Sequence, residues 1–237
     1  MVYGAIVAGG IGSRMKLADM PKQFLPLGGK PIIIHTVEKF LKNDRLDYVY
    51  VGINGDWEAY FKELLKSHGI DSERLKVVCG GSDRNGTIMN IIASIHGEHG
   101  RNESDILVTH DAVRPFVTNR MINDNIEHAM KFGACDTAIP STDTIATSED
   151  GEFVAAIPNR NKMYYMQTPQ SFNLNLLFDL YNDISEEQKA ELTDACKIFI
   201  LSGHKVSLVR GAVHNIKITT VSDYKIAEAI LEGNLGD

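Results

Sequence analysis

Short apolar runs alternate along this chain with longer amphipathic segments, a pattern that few folds accommodate. The runs lie at residues 4–8, 48–53, 75–79, 106–109 and 135–139, and the apolar side chains between them recur at helical spacing. Runs this short, with little polar alternation, suit strands covered on both faces, the environment of a parallel sheet between helices. Helices are predicted at 32–41, where Pro31 suits a first helical position, and at 56–68, where Trp57, Tyr60, Phe61 and Leu64 form one stripe. A third is predicted at 121–132, with Thr118 as its cap. The βαβ rhythm predicts an α/β, Rossmann-like fold with a mostly parallel sheet flanked by helices. Such sheets gather ligands at the carboxyl ends of their strands. Three of the five runs end in unusual residues: AGGIGSRM after the first, GGSDRNGT after the third and HDAVRP after the fourth.

The rhythm breaks between Pro140 and Phe172, where polar residues, Gly151 and two β-prone pieces near Phe153 and Tyr164 predict a protruding β-arm, too long for an ordinary loop. It resumes with helices near 174–181 and 194–201, strands at 206–210 and 216–219, and a last helix from Ser222. A chain of 237 residues without a linker or repeat reads as one domain over 1–237. A net charge of −7 without a basic run argues against nucleic-acid binding, and no apolar stretch approaches a membrane span. The segment from Met1 to Ala8 runs into glycines without a basic leader, so a cytoplasmic location is expected. Cys79, Cys135 and Cys196 are odd in number and widely spaced, which predicts reduced, buried thiols rather than disulfides or zinc.

The first turn carries the strongest chemical signal. Glycines at 9, 10 and 12 let backbone N–H groups approach a phosphate. A P-loop would need Lys and then Ser/Thr after the last glycine, but Ser13 and Arg14 follow Gly12. A dinucleotide fingerprint beginning at Gly10 would need glycine where Met15 stands. What the loop adds instead is Arg14, followed by Pro21, Lys22 and Gln23, two cations that suit a triphosphate.

With these blocks on one chain, the sequence resembles the nucleotide-diphospho-sugar pyrophosphorylase-like cytidylyltransferases. The blocks run in order: the glycine loop ending in Arg14, the Pro21-Lys22-Gln23 step, residues 80–84, 110–115, 168–170 and 215–219. Two branches are closest, the methylerythritol-phosphate enzymes of isoprenoid synthesis and the ribitol-5-phosphate enzymes of teichoic-acid synthesis. Ala112-Val113, the stretch 169–172 and the stretch 192–197, which includes Thr193-Asp194-Ala195-Cys196, lean towards the ribitol branch.

That resemblance implies transfer of a cytidylyl group from CTP to D-ribitol 5-phosphate, giving CDP-ribitol and pyrophosphate. The substrate phosphate is already ionised near neutral pH and needs no general base, consistent with the lack of a Ser/His/Asp or Cys/His arrangement. The resemblance makes Arg14, Lys22 and Lys217 the catalytic cations. It assigns CTP to Ala8, Gly9, Gly10, Gly12, Gly81, Ser82, Thr87, Asp111 and Ala112, and a Mg²⁺ ion to Asp111. Arg114, Thr144, Arg160, Thr168 and Thr193 are its acceptor-binding positions. It also implies a homodimer whose arm, at about 141–170, reaches into the partner's site, and a partner reductase that makes ribitol 5-phosphate. Asp83 and Arg84 fit either the base-reading loop or an ion pair that shapes it. His110 reads as a packed core histidine, and His96 and His99 as helix surface. The competing readings are methylerythritol-phosphate cytidylyltransferase and a CTP-binding regulatory protein without turnover.

Overall fold

The structure, a computed structural model, describes residues 1–10 and 20–233. Strand β1 (Val2–Ala8) is buried along nearly its whole length because it has a strand on each side and helices on each face. The elements after it are β2 (Pro26–Leu27), β3 (Lys30–Pro31), α1 (Ile32–Leu41), β4 (Tyr48–Ile53), α2 (Glu58–Ser67), β5 (Leu75–Cys79), α3 (Arg84–His99), β6 (Ile106–Asp111) and α4 (Asn119–Phe132). There follow β7 (Ala134–Pro140), β8 (Tyr164–Asn173), α5 (Leu174–Asp183), α6 (Glu186–Ala190), α7 (Cys196–Leu201), β9 (Ser207–Arg210) and α8 (Val221–Glu232). The main sheet has the order β5-β4-β1-β6-β8-β7-β9; β2 and β3 pair separately. Neighbours run parallel except at β8, which is antiparallel to both β6 and β7.

Alternation along the strands divides the core. Val49, Val51, Val108 and Cys135 pack with α1, α2 and α4 on one face. Tyr3, Ala5, Tyr50, Leu107 and Phe172 pack with α3, α5 and α7 on the other. A third apolar group joins Leu27, Ile32, Phe116, Ile218 and Ile230, holding α8 against the start of α1.

The five predicted strands and the helices at α1, α2 and α4 are present, and Thr118 caps α4 by accepting from Met121 N at 3.3 Å. Three expectations are corrected. Residues 216–219 form no strand: Ile218 N donates to Val113 O at 3.0 Å, and the segment runs beside the loop after β6 instead of joining the sheet. The arm does not extend to 170, because β8 begins at Tyr164 and enters the sheet, with Gln167 to Phe172 buried between β6 and β7. Residues 141–163 leave the sheet, tied back by an isolated bridge between Thr147 and Ala156, and turn Phe153, Val154 and Ile157 to solvent. Of the cysteines, Cys135 and Cys196 are buried, but Cys79 is exposed because β5 is an edge strand. Among the described residues, no helix is long and apolar enough to cross a membrane.

Candidate active site

The carboxyl ends of β1, β5 and β6 converge on a cleft of about 260 Å³. Its floor is the end of β1, Ala8 to Gly10. One wall is the turn before α3 and the first turn of that helix, with Ser82, Asp83, Arg84 and Thr87; the other is formed by Asp111 to Val113 and Lys217. Lys22 and Gln23 close the rim. The chain after β5 can make this wall only because its glycines have no side chain. A Cβ on Gly81 would lie 2.5 Å from the carbonyl carbon of Gly86, and one on Gly9 would lie 2.7 Å from Thr87 Oγ1. Asp83 caps α3 by accepting from Gly86 N at 2.8 Å, so Arg84 to Thr87 form the first helical turn rather than a free loop. Thr87 Oγ1 accepts from Gly81 N at 3.0 Å and donates to Asp83 O at 2.8 Å, locking the turn.

Asp111 ends β6 as a buried carboxylate among cations. Arg84 Nε lies 3.1 Å from Oδ1, while Lys217 Nζ lies 2.9 Å and Arg114 Nε 3.6 Å from Oδ2. Burial pushes the carboxyl up, but Arg84, Lys217 and Arg114 together outweigh it and hold Asp111 far below the usual carboxylate range. With Lys22 on the rim, four cations face two carboxylates, Asp83 and Asp111, an excess of positive charge suited to a polyphosphate.

Behind Asp111, His110 is wholly buried against Phe40, and burial lowers its pKa to about 4. Its Nε2 is 3.0 Å from Arg114 O, an acceptor, so Nε2 carries the proton and Nδ1 is bare. Thr168 Oγ1 therefore donates to Nδ1 at 2.8 Å while accepting from Asp111 N at 3.2 Å. A neutral histidine and a threonine thus fix the backbone that carries Asp111. The loop bearing Lys217 is fixed in a similar way. Asn215 Nδ2 donates to Thr168 O at 2.8 Å, Arg114 Nη1 donates to Asn215 O at 2.8 Å, and Gln167 Nε2 donates to Ala212 O at 2.9 Å.

A sequence profile of the family described as IspD, 2-C-methyl-D-erythritol 4-phosphate cytidylyltransferase, matches residues 2–233. The chain belongs to this cytidylyltransferase family. It is a nucleotidyltransferase with the nucleotide-diphospho-sugar transferase fold. Among solved structures it is similar to 4-diphosphocytidyl-2C-methyl-D-erythritol synthase from Anaerococcus prevotii, with 28% identity, a TM-score of 0.81, and 98% of this chain and 96% of that one covered. The 2-C-methyl-D-erythritol 4-phosphate cytidylyltransferase of Francisella tularensis gives 28% identity and a TM-score of 0.80 over 96% and 98% of the two chains. That of Thermus thermophilus, at 23% identity and a TM-score of 0.75 over 98% and 100%, shares the fold.

The structure brings many of the predicted residues together. Ala8, Gly9, Gly10, Lys22, Ser82, Thr87, Asp111, Ala112 and Lys217 line one cleft, with Gly81 bonded to Thr87 at its edge. Gly12 and Arg14 lie outside the described residues. The predicted acceptor set is not brought together in one chain. Arg114 is buried against Asp111 and Asn215, and Thr168 is spent on His110 and Asp111, so both position the site's walls. Thr193 is exposed before α7; Thr144 and Arg160 are exposed on the arm, where Arg160 Nη1 donates to Thr142 O at 3.0 Å. Arg84 pairs with Asp111 rather than Asp83. His96 and His99 are on a helix as predicted, but half-buried, facing Asn175 and the Tyr50 hydroxyl.

Sequence reading assigned no role to Gln23, whose amide donates to Ala8 O at 3.0 Å and Gly10 O at 3.1 Å and so ties the rim to the floor. Its place in the Pro-Lys-Gln step was the available signal. The buried pair of Asp136 and Gln170 left no such signal, because its partners come from different strands.

Proposed function

We propose that this protein transfers the cytidylyl group of CTP to the phosphate of a small polyol phosphate. The supporting observation is the cleft in which a glycine floor and the turn before α3 meet the cations Lys22, Arg84 and Lys217, the last two paired with one buried carboxylate. A phosphate oxygen of the acceptor attacks the α-phosphorus in line, the bond to the bridging oxygen of the β-phosphate breaks, and pyrophosphate leaves. Lys22 faces the triphosphate and offsets charge on the leaving pyrophosphate, and Lys217, beside Asp111, faces the α-phosphate. Arg14 shares the first of these tasks in this reading. Ser82, the backbone at Ala8 and Gly9 and the Gly81 carbonyl offer hydrogen bonds to the base edge, and Thr87, bonded to Gly81 N and Asp83 O, holds that turn in place.

Mg²⁺ binds through one or two carboxylates and completes its shell with substrate phosphates and water, so Asp111 fits it once one oxygen exchanges Arg84 or Lys217 for the ion. Asp111 would be its protein ligand, and the ion would neutralise phosphate charge. Among the described residues there is no cluster of three or more His, Cys, Asp or Glu side chains that would compete as a metal centre.

The comparisons weigh towards 2-C-methyl-D-erythritol 4-phosphate as acceptor, the substrate in the family description and in the names of similar structures. The sequence blocks weigh towards D-ribitol 5-phosphate: Ala112-Val113 on the cleft wall, the stretch 169–172, and the stretch 192–197 with Ala195-Cys196 buried at the start of α7. Pyrophosphate release from CTP and Mg²⁺, measured with each acceptor side by side, decides between them by kcat/KM. No turnover with either, despite CTP binding, would favour the regulatory reading.

The same reading makes the protein a homodimer with shared sites. Thr144 and Arg160 on the arm do not line the cleft of their own chain, and the arm exposes Phe153, Val154 and Ile157, apolar surface that a second copy would cover.

A further inference from the structure

A second carboxylate is buried beside the nucleotide cleft, and the reaction outlined above does not use it. Asp136 on β7 lies directly opposite Gln170 on β8, which lies directly opposite Thr109 on β6. Directly paired residues share a face, and Thr109 shares its face with Asp111 two residues on. Asp136, Gln170 and Asp111 therefore stand on the face of the sheet that α3 and α7 cover, and Arg84 at the start of α3 reaches down to it.

Hydrogen bonding there is incomplete on both sides. Gln170 Nε2 donates to Asp136 Oδ2 at 2.8 Å, but Asp136 Oδ1 and Gln170 Oε1 are buried with no hydrogen-bond partner among the described residues. Arg84 uses only Nε on Asp111; its Nη1 and Nη2 are likewise buried and unpartnered. Two orphaned acceptors and two orphaned donors thus lie on the same face of the sheet, and a buried guanidinium edge without a partner is costly. The groups around Asp136 are Gln170 on β8, the Cys196 thiol of α7, Asp194 before it, and the cations Arg84 and Arg114. Burial and Asp194 oppose its ionisation; hydrogen bonds from Gln170 and the Cys196 thiol favour it, and Arg84 adds a smaller attraction.

We propose that Asp136 is a positioning residue for the nucleotide site, acting through Arg84: its carboxylate attracts the outer edge of the guanidinium while Asp111 holds the inner edge. Arg84 then stays in the cleft wall next to Ser82 and Asp83, and Asp111 is not drawn wholly to one partner. The inference rests on reading the cleft as the CTP site. Burial pushes the Asp136 carboxyl up to about 7, so it is largely ionised at pH 8 and largely protonated at pH 6. The charge is held against a burial cost that an asparagine would not bear, which separates the site role from a structural one.

The test is calorimetric titration of CTP with Mg²⁺ into the wild type, Asp136→Asn, Arg84→Lys and the double variant at pH 8, with Tm measured for each. Asp136→Asn keeps the shape and removes the charge. It should weaken CTP binding about five- to tenfold, the scale of a coupled neighbouring pair. Its Tm should equal or exceed that of the wild type, opposite to what loss of a structural contact would give. In the Arg84→Lys background the same change should have little further effect, and the gap between wild type and Asp136→Asn should close as the pH is lowered to 6. Unchanged CTP affinity in Asp136→Asn, an additive effect in the double variant, or a loss of affinity that tracks a lowered Tm would each overturn the proposal. Failure of the wild type itself to bind CTP would remove the reading of the cleft, and this inference with it.

Discussion

Replacing Thr168 with valine tests the view that this residue holds the site rather than the acceptor. Valine fills the same space without the hydroxyl. It leaves His110 Nδ1 and Asp111 N–H, now bonded to Thr168 Oγ1 at 2.8 and 3.2 Å, without partners in a buried setting. Each orphaned group costs about 1–3 kcal/mol, so Thr168→Val should lose about 2–6 kcal/mol. For a chain of this size each kcal/mol moves Tm by about 2–4 °C, giving a drop of about 4–24 °C with no substrate present. Thermal unfolding followed by circular dichroism reads this directly. Because Asp111 anchors Arg84, Lys217 and Arg114, freeing its backbone should also lower kcat/KM by roughly tenfold or more. Thr168→Ser keeps the hydroxyl and should restore most of both losses. A wild-type Tm in Thr168→Val would refute the network, and a wild-type Tm with lost activity would return Thr168 to the acceptor.

Lys22→Ala should lower kcat/KM by about two orders of magnitude or more, the scale of losing one donor to a developing charge, with Tm nearly unchanged because the residue sits on the rim. Asp111→Asn should leave three cations poorly paired, lowering stability by about 3–5 kcal/mol and weakening the Mg²⁺ dependence of turnover; an unchanged metal titration would leave Asp111 a structural residue. Acid should separate His110 from Asp136. His110, lowered from 6.5 to about 4 by burial, withdraws about 3 kcal/mol of stability as pH falls across that interval, because only the unfolded chain takes up the proton. Asp136, raised from 3.8 to about 7, returns about 4 kcal/mol as pH falls from 7 to 3.8, because only the folded chain takes one up. Denaturant titrations should therefore show Asp136→Asn losing more stability than the wild type between pH 6.5 and 4; parallel curves would contradict the assignment. Finally, mixing Lys22→Ala and Arg160→Ala subunits, each nearly inactive alone, should recover about one quarter of wild-type activity after random exchange, whereas no recovery after proven exchange would rule out shared sites.

The strands and most helices were legible because each is specified locally. A buried parallel strand must be an apolar run, and a helix must repeat its apolar positions every three or four residues, so β1, β4, β5 and β6 and helices α1, α2 and α4 follow from spacing alone. The turns after β1, β5 and β6 were legible for a related reason. Gly9 and Gly81 stand where a Cβ would strike Thr87 or the backbone of Gly86, and a carboxylate ending an apolar strand stands out from its neighbours.

What those residues do to one another came from packing. Residues 216–219 have a strand's composition, yet Ile218 is claimed by Val113 and a small apolar core, which turns that segment into the support for Lys217. The end of the expected arm is a sheet strand because β6 and β7 offer it two open edges and burial for Gln167 to Phe172. Arg84 abandons its neighbour Asp83 for Asp111, 27 positions away, since Asp83 is occupied in capping α3. Local patterning was thus enough for most of the sheet, the cleft's glycine floor and the family. The charge partners emerged only in the folded chain, because a side chain's pairing depends on distances between strands and helices that local spacing does not encode.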